Sequence, residues 1–185
     1  MSQLKRCRWV NLNNETYIKY HDEEWSIKSY DDKYLFEMLL LESFQAGLSW
    51  ECILNKRDHF KEAFDNFDYN KISKYRDDKI NELLENKKII RNKLKIKAAI
   101  INSKIYIDIQ KEYGSFSNYI WSFTNRKQII HSGKKTYTRN NLSDKISNDL
   151  KKRGMKYVGT VIIYSYLQAI GVINDHDYDC DFRNS

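Results

Sequence analysis

Residues 150–169 read LKKRGMKYVGTVIIYSYLQA, and this stretch predicts two helices joined by a short turn. Gly154 and Gly159 frame the turn, because glycine allows the tight backbone geometry of such a connection. Backbone N–H groups at the start of the second helix then point outward, where the positive helix end favours a phosphate. Basic side chains crowd the same turn, at Lys151, Lys152, Arg153 and Lys156.

Two interpretations of this hairpin are open. Helical hairpins with glycine in the turn are common, so the stretch could be an ordinary hairpin with a solvated basic face. The alternative is a helix-hairpin-helix clamp on the DNA backbone, which positions a protein on DNA without reading its sequence. In that case we expect the backbone contacts to come from Gly154, Lys156, Gly159 and Thr160.

Composition and charge favour a globular protein with a polyanionic partner. The chain has 185 residues, and 14% of them are aromatic, so it can bury a core. Its net charge of +7 favours nucleic acid over a membrane surface, although a general bias toward lysine would give the same sign without a partner. The start, MSQLKRCRWV, lacks an apolar signal segment, and no apolar run approaches membrane-spanning length. We expect a cytoplasmic protein that acts as a monomer.

Helical periodicity runs through nearly the whole chain. Leu35, Met38 and Leu39 recur at helical spacing after a cap expected at Asp32. No alternating strand pattern competes, and residues 124–141 are predicted to form a polar loop. In the second helix of the hairpin, the expected inner face consists of Val158, Val161, Ile162, Ser165 and Ala169. We predict an all-α fold that forms a single domain over residues 1–185.

Glu42 is a carboxylate on the apolar stripe of the first long helix. It lies in LLLESFQAGLSW (residues 39–50), seven residues after Leu35. A carboxylate there loses its hydration unless a charged or hydrogen-bonding group compensates. Aromatic clusters are more often core than pocket, but an apolar core rarely accepts an unpaired carboxylate, which favours a pocket here. The candidate aromatic neighbours are Trp9, Tyr17, Tyr20, Trp25 and Trp50.

The two ends of the chain carry four residues that could bind a metal, Cys7, His21, His176 and Cys180. His176 and Cys180 are four residues apart, so one turn could present both. Two thiolates and two imidazoles are a common ligand set for a closed, structural zinc site. The alternative is that these residues are unrelated buried or surface side chains.

The sequence resembles the DNA-3-methyladenine glycosylase I family. The resemblance is carried by CRW (7–9) and YHDEEW (20–25), by FEMLLLESFQAGLSW (36–50), and by LKKRGMKYVGT (150–160) and NDHDYDC (174–180). It implies a helix-hairpin-helix DNA glycosylase fold with a structural zinc ion that joins the termini. The zinc ligands that it implies are Cys7, His21, His176 and Cys180.

The same resemblance implies a monofunctional glycosylase that flips 3-methyladenine out of alkylated double-stranded DNA and hydrolyses its N-glycosidic bond. Glu42, Tyr20 and Trp50 match the base-recognition residues of the family, and Trp9, Tyr17 and Trp25 match its aromatic pocket wall. Whether Glu42 also steers the attacking water is open. Asp175 lies 16 residues after Gly159 and could have either a catalytic or a structural role.

The chain departs from the family pattern at several places, including the spacing between Cys7 and His21 and the segment past Cys180, and two of the departures lie near predicted pocket residues in the sequence. Ser26 and Lys28 stand where members usually carry Gly and Pro, so the loop after Trp25 is expected to sit differently. Phe44 stands where a Gln is common and is expected to alter the polarity of the pocket beside Glu42. Three alternative functions are a non-catalytic alkylated-DNA-binding protein, a basic nucleic-acid-binding module without a pocket, and a related glycosylase with a different lesion preference.

Overall fold

A computed structural model describes residues 4–183, and its architecture is almost entirely helical. The helices are α1 (Glu15–Glu23), α2 (Asp32–Gln45), α3 (Trp50–Leu54), α4 (Arg57–Ala63), α5 (Tyr69–Ile72), α6 (Asp77–Glu85), α7 (Lys93–Tyr113), α8 (Phe116–Ser122), α9 (Asn141–Lys152) and α10 (Thr160–Ala169). A 3-10 turn, Asp65–Phe67, lies between α4 and α5. Two short strands are β1 (Ile129–Ile130) and β2 (Ile173–Asn174). Within residues 4–183, no helix has the length and apolar character that crossing a membrane requires.

Helix α2 lies at the centre of the fold and packs against α3, α7, α8 and α10. Most of its side chains are buried, which is expected for a helix that is apolar on all sides. Its N-cap is Asp31, one residue before the predicted cap. The carboxylate of Asp32 instead accepts hydrogen bonds from the backbone N–H groups of Phe116 and Ser117, at 2.9 and 2.7 Å. Asp32 therefore joins the start of α2 to the start of α8.

The predicted helical hairpin is present as α9, a turn and α10. Two serines of α9 hold the two helices together: Ser147 Oγ donates to the carbonyl of Val158 at 2.7 Å, and Ser143 Oγ lies 2.8 Å from Thr160 Oγ1. Gly154 follows α9 with φ +100°, a left-handed conformation that favours glycine. Both glycines of the sequence motif therefore lie at the ends of the turn.

The inner face predicted for α10 is only partly correct, because Val158 and Ala169 are buried but Val161, Ile162 and Ser165 are not. Its buried side chains include Ile163 and Leu167, whereas Val161 is 49% exposed. The reason is that α10 packs against α9 on one side and α2 on another, so its buried face is wide. The outer side of its first turn, which carries Val161, faces solvent.

Residues 124–141 contain a strand that the prediction of an unbroken loop did not include. Strand β1 pairs in parallel with β2, with Ile129 opposite Ile173 and Ile130 opposite Asn174. Two-residue strands are too short to show the alternating pattern by which strands are recognised in a sequence. This pairing brings the loop before α9 to the C-terminal segment that carries Asp175.

The loop after Trp25 is seated on the end of α10. Ser26 N and Ser29 N donate to the carbonyls of Gln168 and Ile170, at 2.9 and 3.1 Å. Ser26 has φ +65°, and its hydroxyl donates to the carbonyl of Ile173 at 3.2 Å. Gly171, with φ +76°, faces this loop, and a Cβ there would lie 2.3 Å from the backbone of Ile27.

We therefore expect Gly171→Ala to destabilise the protein strongly. The added methyl group meets backbone atoms that cannot move aside, and the left-handed backbone adds strain, so the free energy of unfolding should fall by roughly 3 kcal/mol or more. Gly159→Ala is the matched control, because no atom lies within 4 Å of its Cβ position. It should stay within about 1 kcal/mol of the wild type in urea denaturation. Equal stability of the two variants would contradict the close packing at Gly171.

Candidate active site and metal-ligand cluster

A cavity of about 220 Å³ opens where α1, α2, α3 and α10 meet the C-terminal segment. Every residue predicted for the pocket lines it, namely Glu42, Tyr20, Trp50, Trp9, Tyr17 and Trp25. The lining residues that were not assigned from the sequence are Gln45, Lys135, Thr136, Tyr137, Ser165, Gln168, Asp175 and Asp177. The cavity is therefore a mixed site, with aromatic walls and several polar groups.

The aromatic walls form two packed groups. On one side, the ring of Trp9 lies 5.2 Å from that of Tyr17 and 4.8 Å from that of Trp25. On the other side, the rings of Tyr20 and Trp50 lie 5.4 Å apart. The indole Nε1 of Trp50 is buried and has no hydrogen-bond partner among residues 4–183. These faces can stack on a flat heterocyclic ligand.

Glu42 lies in the last turn of α2 and is only 3% exposed. Within the described part of the chain, its carboxylate has no hydrogen-bond or ion-pair partner, unlike most buried carboxylates. Burial raises the pKa of Glu42 to about 8. The C-terminal end of a helix also carries negative partial charge, so a cation is the ligand that this position favours.

Asp175 is another carboxylate at the cavity, and unlike Glu42 it has partners for both of its oxygens. Oδ1 lies 2.6 Å from Nδ1 of His131. Oδ2 accepts from the hydroxyl of Tyr164 at 2.5 Å and from Nε2 of Gln168 at 2.9 Å. The two carboxylates therefore differ: Asp175 anchors three side chains around the cavity, whereas Glu42 has no partner.

The loop segment Lys135–Tyr137 forms part of the cavity lining and was predicted only as polar loop. It is attached to the C-terminal segment through Gly133, whose carbonyl accepts from the N–H of Tyr178 at 3.1 Å. A Cβ at Gly133 would lie 2.5 Å from the carbonyl oxygen of His176, so the two segments are in close backbone contact. A lone glycine in a polar stretch was the only sequence signal for this close contact between the two segments.

The expectation that Phe44 changes the polarity beside Glu42 is wrong. Phe44 is fully buried and packs against the rings of Phe60 and Phe64, with centroids 4.9 and 5.7 Å away. Two residues along a helix turn the side chain by about 200°, so Phe44 and Glu42 point to opposite sides of α2. Gln45 lines the cavity instead.

The four candidate metal ligands meet in one buried cluster. Their ligand atoms all lie within 4.8 Å of one another, although Cys7 and His21 are far from His176 and Cys180 in sequence. This distance is compatible with four ligands around one ion. The set of two sulfurs and two nitrogens is typical of structural zinc.

Hydrogen bonds outside the cluster orient its histidines. Nδ1 of His21 lies 2.7 Å from a carboxylate oxygen of Asp22, and Nδ1 of His176 lies 2.9 Å from Oδ1 of Asn174. In each ring Nε2 then faces the cluster. Nε2 of His21 accepts a long hydrogen bond from the N–H of Cys7 at 3.4 Å and lies 3.6 Å from Sγ of Cys180, and Nε2 of His176 is a buried atom without a partner in the described residues. Burial lowers the pKa of His176 to about 4, which keeps the ring in the neutral form that ligates metals. The residues present therefore fit a zinc ion.

The hairpin turn exposes part of the predicted DNA-backbone set. Lys156 is exposed, and no described side chain caps α10 at Gly159, so the N-terminal amides of α10 remain free for an anion. Arg153 does not contribute a free charge to the basic face that was expected at the turn. Its guanidinium donates to Glu112 at 2.6 Å and to Asp149 at 2.8 Å, so its charge is used within the fold.

The helical hairpin and the aromatic pocket with its buried carboxylate are features of helix-hairpin-helix proteins. Comparisons with known proteins identify the family within this class. The family model described as methyladenine glycosylase matches residues 9–184. DNA-3-methyladenine glycosylase 1 of Escherichia coli (strain K12) is 39% identical over 180 residues, which cover 96% of each chain. The chain belongs to the methyladenine glycosylase family, and the predicted resemblance and fold class are confirmed.

Solved structures agree with this assignment. A structure of 3-methyladenine DNA glycosylase I from Staphylococcus aureus matches with a TM-score of 0.94 and 32% identity, covering 100% of this chain and 99% of that one. A tyrosine-to-phenylalanine variant of 3-methyladenine DNA glycosylase I, in complex with 3-methyladenine, matches with a TM-score of 0.90 and 33% identity over 93% and 94% of the two chains.

The buried position of Glu42 predicts how stability depends on pH. Folding raises its pKa from 4.5 to about 8, so between these values the folded protein keeps a proton that the unfolded chain releases. The free energy of unfolding should therefore fall as the pH rises through this window. Glu42→Gln removes this loss and should be more stable than the wild type at pH 9 by roughly 3–5 kcal/mol, but not at pH 4.

Urea denaturation across pH 4–9 measures this difference. Glu62→Gln, which removes an exposed carboxylate of α4, is the matched control and should follow the wild type. A wild-type profile that runs parallel to that of Glu42→Gln would show that Glu42 is not a desolvated carboxyl group.

Proposed function

We propose that this protein is a DNA glycosylase that hydrolyses the N-glycosidic bond of 3-methyladenine in alkylated DNA. The observation that carries the proposal is the unpaired carboxylate of Glu42 in an aromatic cavity. Family membership supports it, because the relatives named above are 3-methyladenine glycosylases and one of the solved structures contains 3-methyladenine.

The cavity matches the charge of the damaged base. Adenine methylated at N3 in DNA carries a positive charge spread over its ring. Glu42 accepts a hydrogen bond from the exocyclic amine, and Trp50 stacks on the ring with a cation–π contribution, next to Tyr20. The cation also favours the ionised form of Glu42, so it displaces the proton that burial otherwise retains. Neutral adenine gains less from the same contacts.

The reaction requires little acid catalysis because of the leaving group. Water adds to C1′ of the deoxyribose as the N-glycosidic bond breaks, and the bonding electrons go to the base. The departing 3-methyladenine thereby loses its positive charge, and the water gives up a proton. Glu42 binds the base, whereas Asp175 holds His131, Tyr164 and Gln168 in place by its three hydrogen bonds.

The hairpin is proposed to hold the DNA backbone while the lesion is out of the helix. A base must leave the duplex to reach such a cavity, and damage makes this easier because pairing is weaker. The free amides at the start of α10 suit a phosphate, with Gly154, Lys156, Gly159 and Thr160 as the contact residues. This binding should be independent of DNA sequence and should weaken with salt.

We propose a structural zinc ion at Cys7, His21, His176 and Cys180. Zinc supplies a fixed tetrahedral cross-link there, and it joins the two ends of the chain. The site also supports the pocket wall. The ring of Trp9 lies 5.3 Å from that of His21, and the ring of Trp25 lies 4.6 Å from that of His176.

We further propose that the protein acts as a monomer and as a single domain over residues 1–185, in the cytoplasm. The six predicted pocket residues and the hairpin all come from one chain, so no second copy is needed to complete the site.

Base release from DNA treated with a methylating agent tests the proposed function. We expect the wild type and the control Glu62→Gln to release free 3-methyladenine, separated by chromatography. Glu42→Gln should lose about 100-fold in rate, because one hydrogen-bonding charge is removed from a buried site.

Each of the other outcomes either contradicts the role of Glu42 or supports an alternative function. Equal release by the wild type and Glu42→Gln would contradict the role of Glu42. DNA binding without release of any base would indicate a non-catalytic binding protein. Preferential inhibition by free 7-methylguanine or hypoxanthine, rather than by 3-methyladenine, would indicate a different lesion preference.

We expect Cys180→Ser to weaken zinc binding and to lower the melting temperature. One of four ligands is lost, and the metal no longer joins the two ends of the chain, so stability should fall by roughly 2–5 kcal/mol. Zinc content by mass spectrometry and thermal unfolding measure this effect. Cys52→Ser is the control, since Cys52 lies outside the cluster. An unchanged melting temperature with no bound metal in the wild type would remove the zinc assignment.

A further inference from the structure

Lys95 of α7 is a buried cation that binds the end of α2. It is 7% exposed, and its ammonium group donates to the carbonyl of Phe44 at 2.8 Å and to that of Ala46 at 2.6 Å. The last carbonyls of a helix have no partners within the helix and carry negative partial charge, which suits a lysine. Lys95 therefore fixes the connection that leads through Gly47 to Trp50, a residue of the cavity wall.

Asn102 of α7 binds the hairpin turn in a similar way. It is 4% exposed, and its side-chain amide makes two hydrogen bonds to the backbone of one residue, Lys156. Asn102 Oδ1 accepts from the Lys156 N–H at 2.8 Å, and Nδ2 donates to the Lys156 carbonyl at 2.9 Å. This pair of bonds fixes the two peptide groups on either side of the Lys156 Cα, and so the position and orientation of the turn.

The two residues lie on one face of one helix. Seven residues separate them, which is two turns or about 10.5 Å of helix. Lys95 also approaches the hairpin directly, because its ammonium lies 5.9 Å from the ring centroid of Tyr157, which follows Lys156. Helix α7 thus makes polar contacts both with the end of α2 and with the hairpin turn.

We propose that Lys95 and Asn102 are positioning residues, which set the distance and orientation between the hairpin and the cavity end of α2. The inference rests on the proposed function: a phosphate held by the hairpin and a base held at Glu42 belong to one DNA strand, so the two sites must keep a fixed spacing. Burying a lysine costs desolvation energy that an apolar side chain would not, and a spacing requirement accounts for its presence.

Separate measurements of base binding, of DNA binding and of the whole excision reaction test this inference. Lys95→Met keeps most of the side-chain length but removes the charge and both hydrogen bonds, and Asn102→Ala removes the contacts with Lys156. Lys111→Met is the control, because Lys111 is an exposed residue of α7 whose ammonium pairs, among residues 4–183, with Asp108 of its own helix. The readouts are tryptophan fluorescence with free 3-methyladenine, binding of undamaged duplex DNA, and single-turnover excision.

We expect both variants to bind free 3-methyladenine and undamaged DNA within about twofold of the wild type, while the excision rate falls about 10- to 100-fold, as a misplacement near 1 Å does. The double variant should lose less than the product of the two single losses, since both residues maintain one spacing. If Lys95→Met does not fold, Asn102→Ala alone decides the question.

Excision by both variants at the rate of Lys111→Met would overturn the inference. A loss of excision that only parallels a loss of free-base or DNA affinity would also overturn it, because the residues would then be purely structural. A wild type that releases no base overturns the proposed function and this inference together, whereas an active wild type with active variants overturns the inference alone.

Discussion

The whole site depends on one unfavourable interaction, the burial of the Glu42 carboxylate without a partner. Helix α2 is enclosed by other helices, so Glu42 cannot reach solvent except through the cavity. The aromatic part of the cavity wall offers electron-rich faces to a cation. In the proposed function, a positively charged flat base compensates the buried carboxylate and stacks on those faces, which would connect the packing of α2 with the choice of substrate.

The remaining structure keeps that cavity in shape. The Cys and His cluster supports Trp9 and Trp25 from behind, and it lies next to Gly133, where the loop that lines the cavity is attached. The pairing of β1 with β2 brings Asp175 to the opposite side. Helix α7 connects the C-terminal end of α2, which borders the cavity, to the hairpin turn, so the cavity and the hairpin are joined through one helix.

Much of this arrangement could be predicted from the sequence. Glu42 was found because its position on an apolar stripe conflicts with its charge, and the aromatic pocket followed from that conflict. The glycine spacing predicted a helical hairpin but left its role open, and the four candidate metal ligands were singled out by residue type and assigned as a set only through the family resemblance. Contacts made between distant segments gave no local signal: β1 and β2 are too short, the loop 135–137 shows no periodicity, and the Glu112 partner of Arg153 comes from another helix. Phe44 was misplaced because helix geometry, rather than closeness in sequence, decides which side chains share a face.

A direct test is the titration of the Glu42 side-chain carboxyl by carbon-13 NMR, with its signal identified by its absence in Glu42→Gln. If the carboxyl is buried and unpaired in the free protein, its midpoint should lie near pH 8. A midpoint near the ordinary value of 4.5 would mean that the group is solvated or paired, and it would contradict the account of how this cavity selects a cationic base.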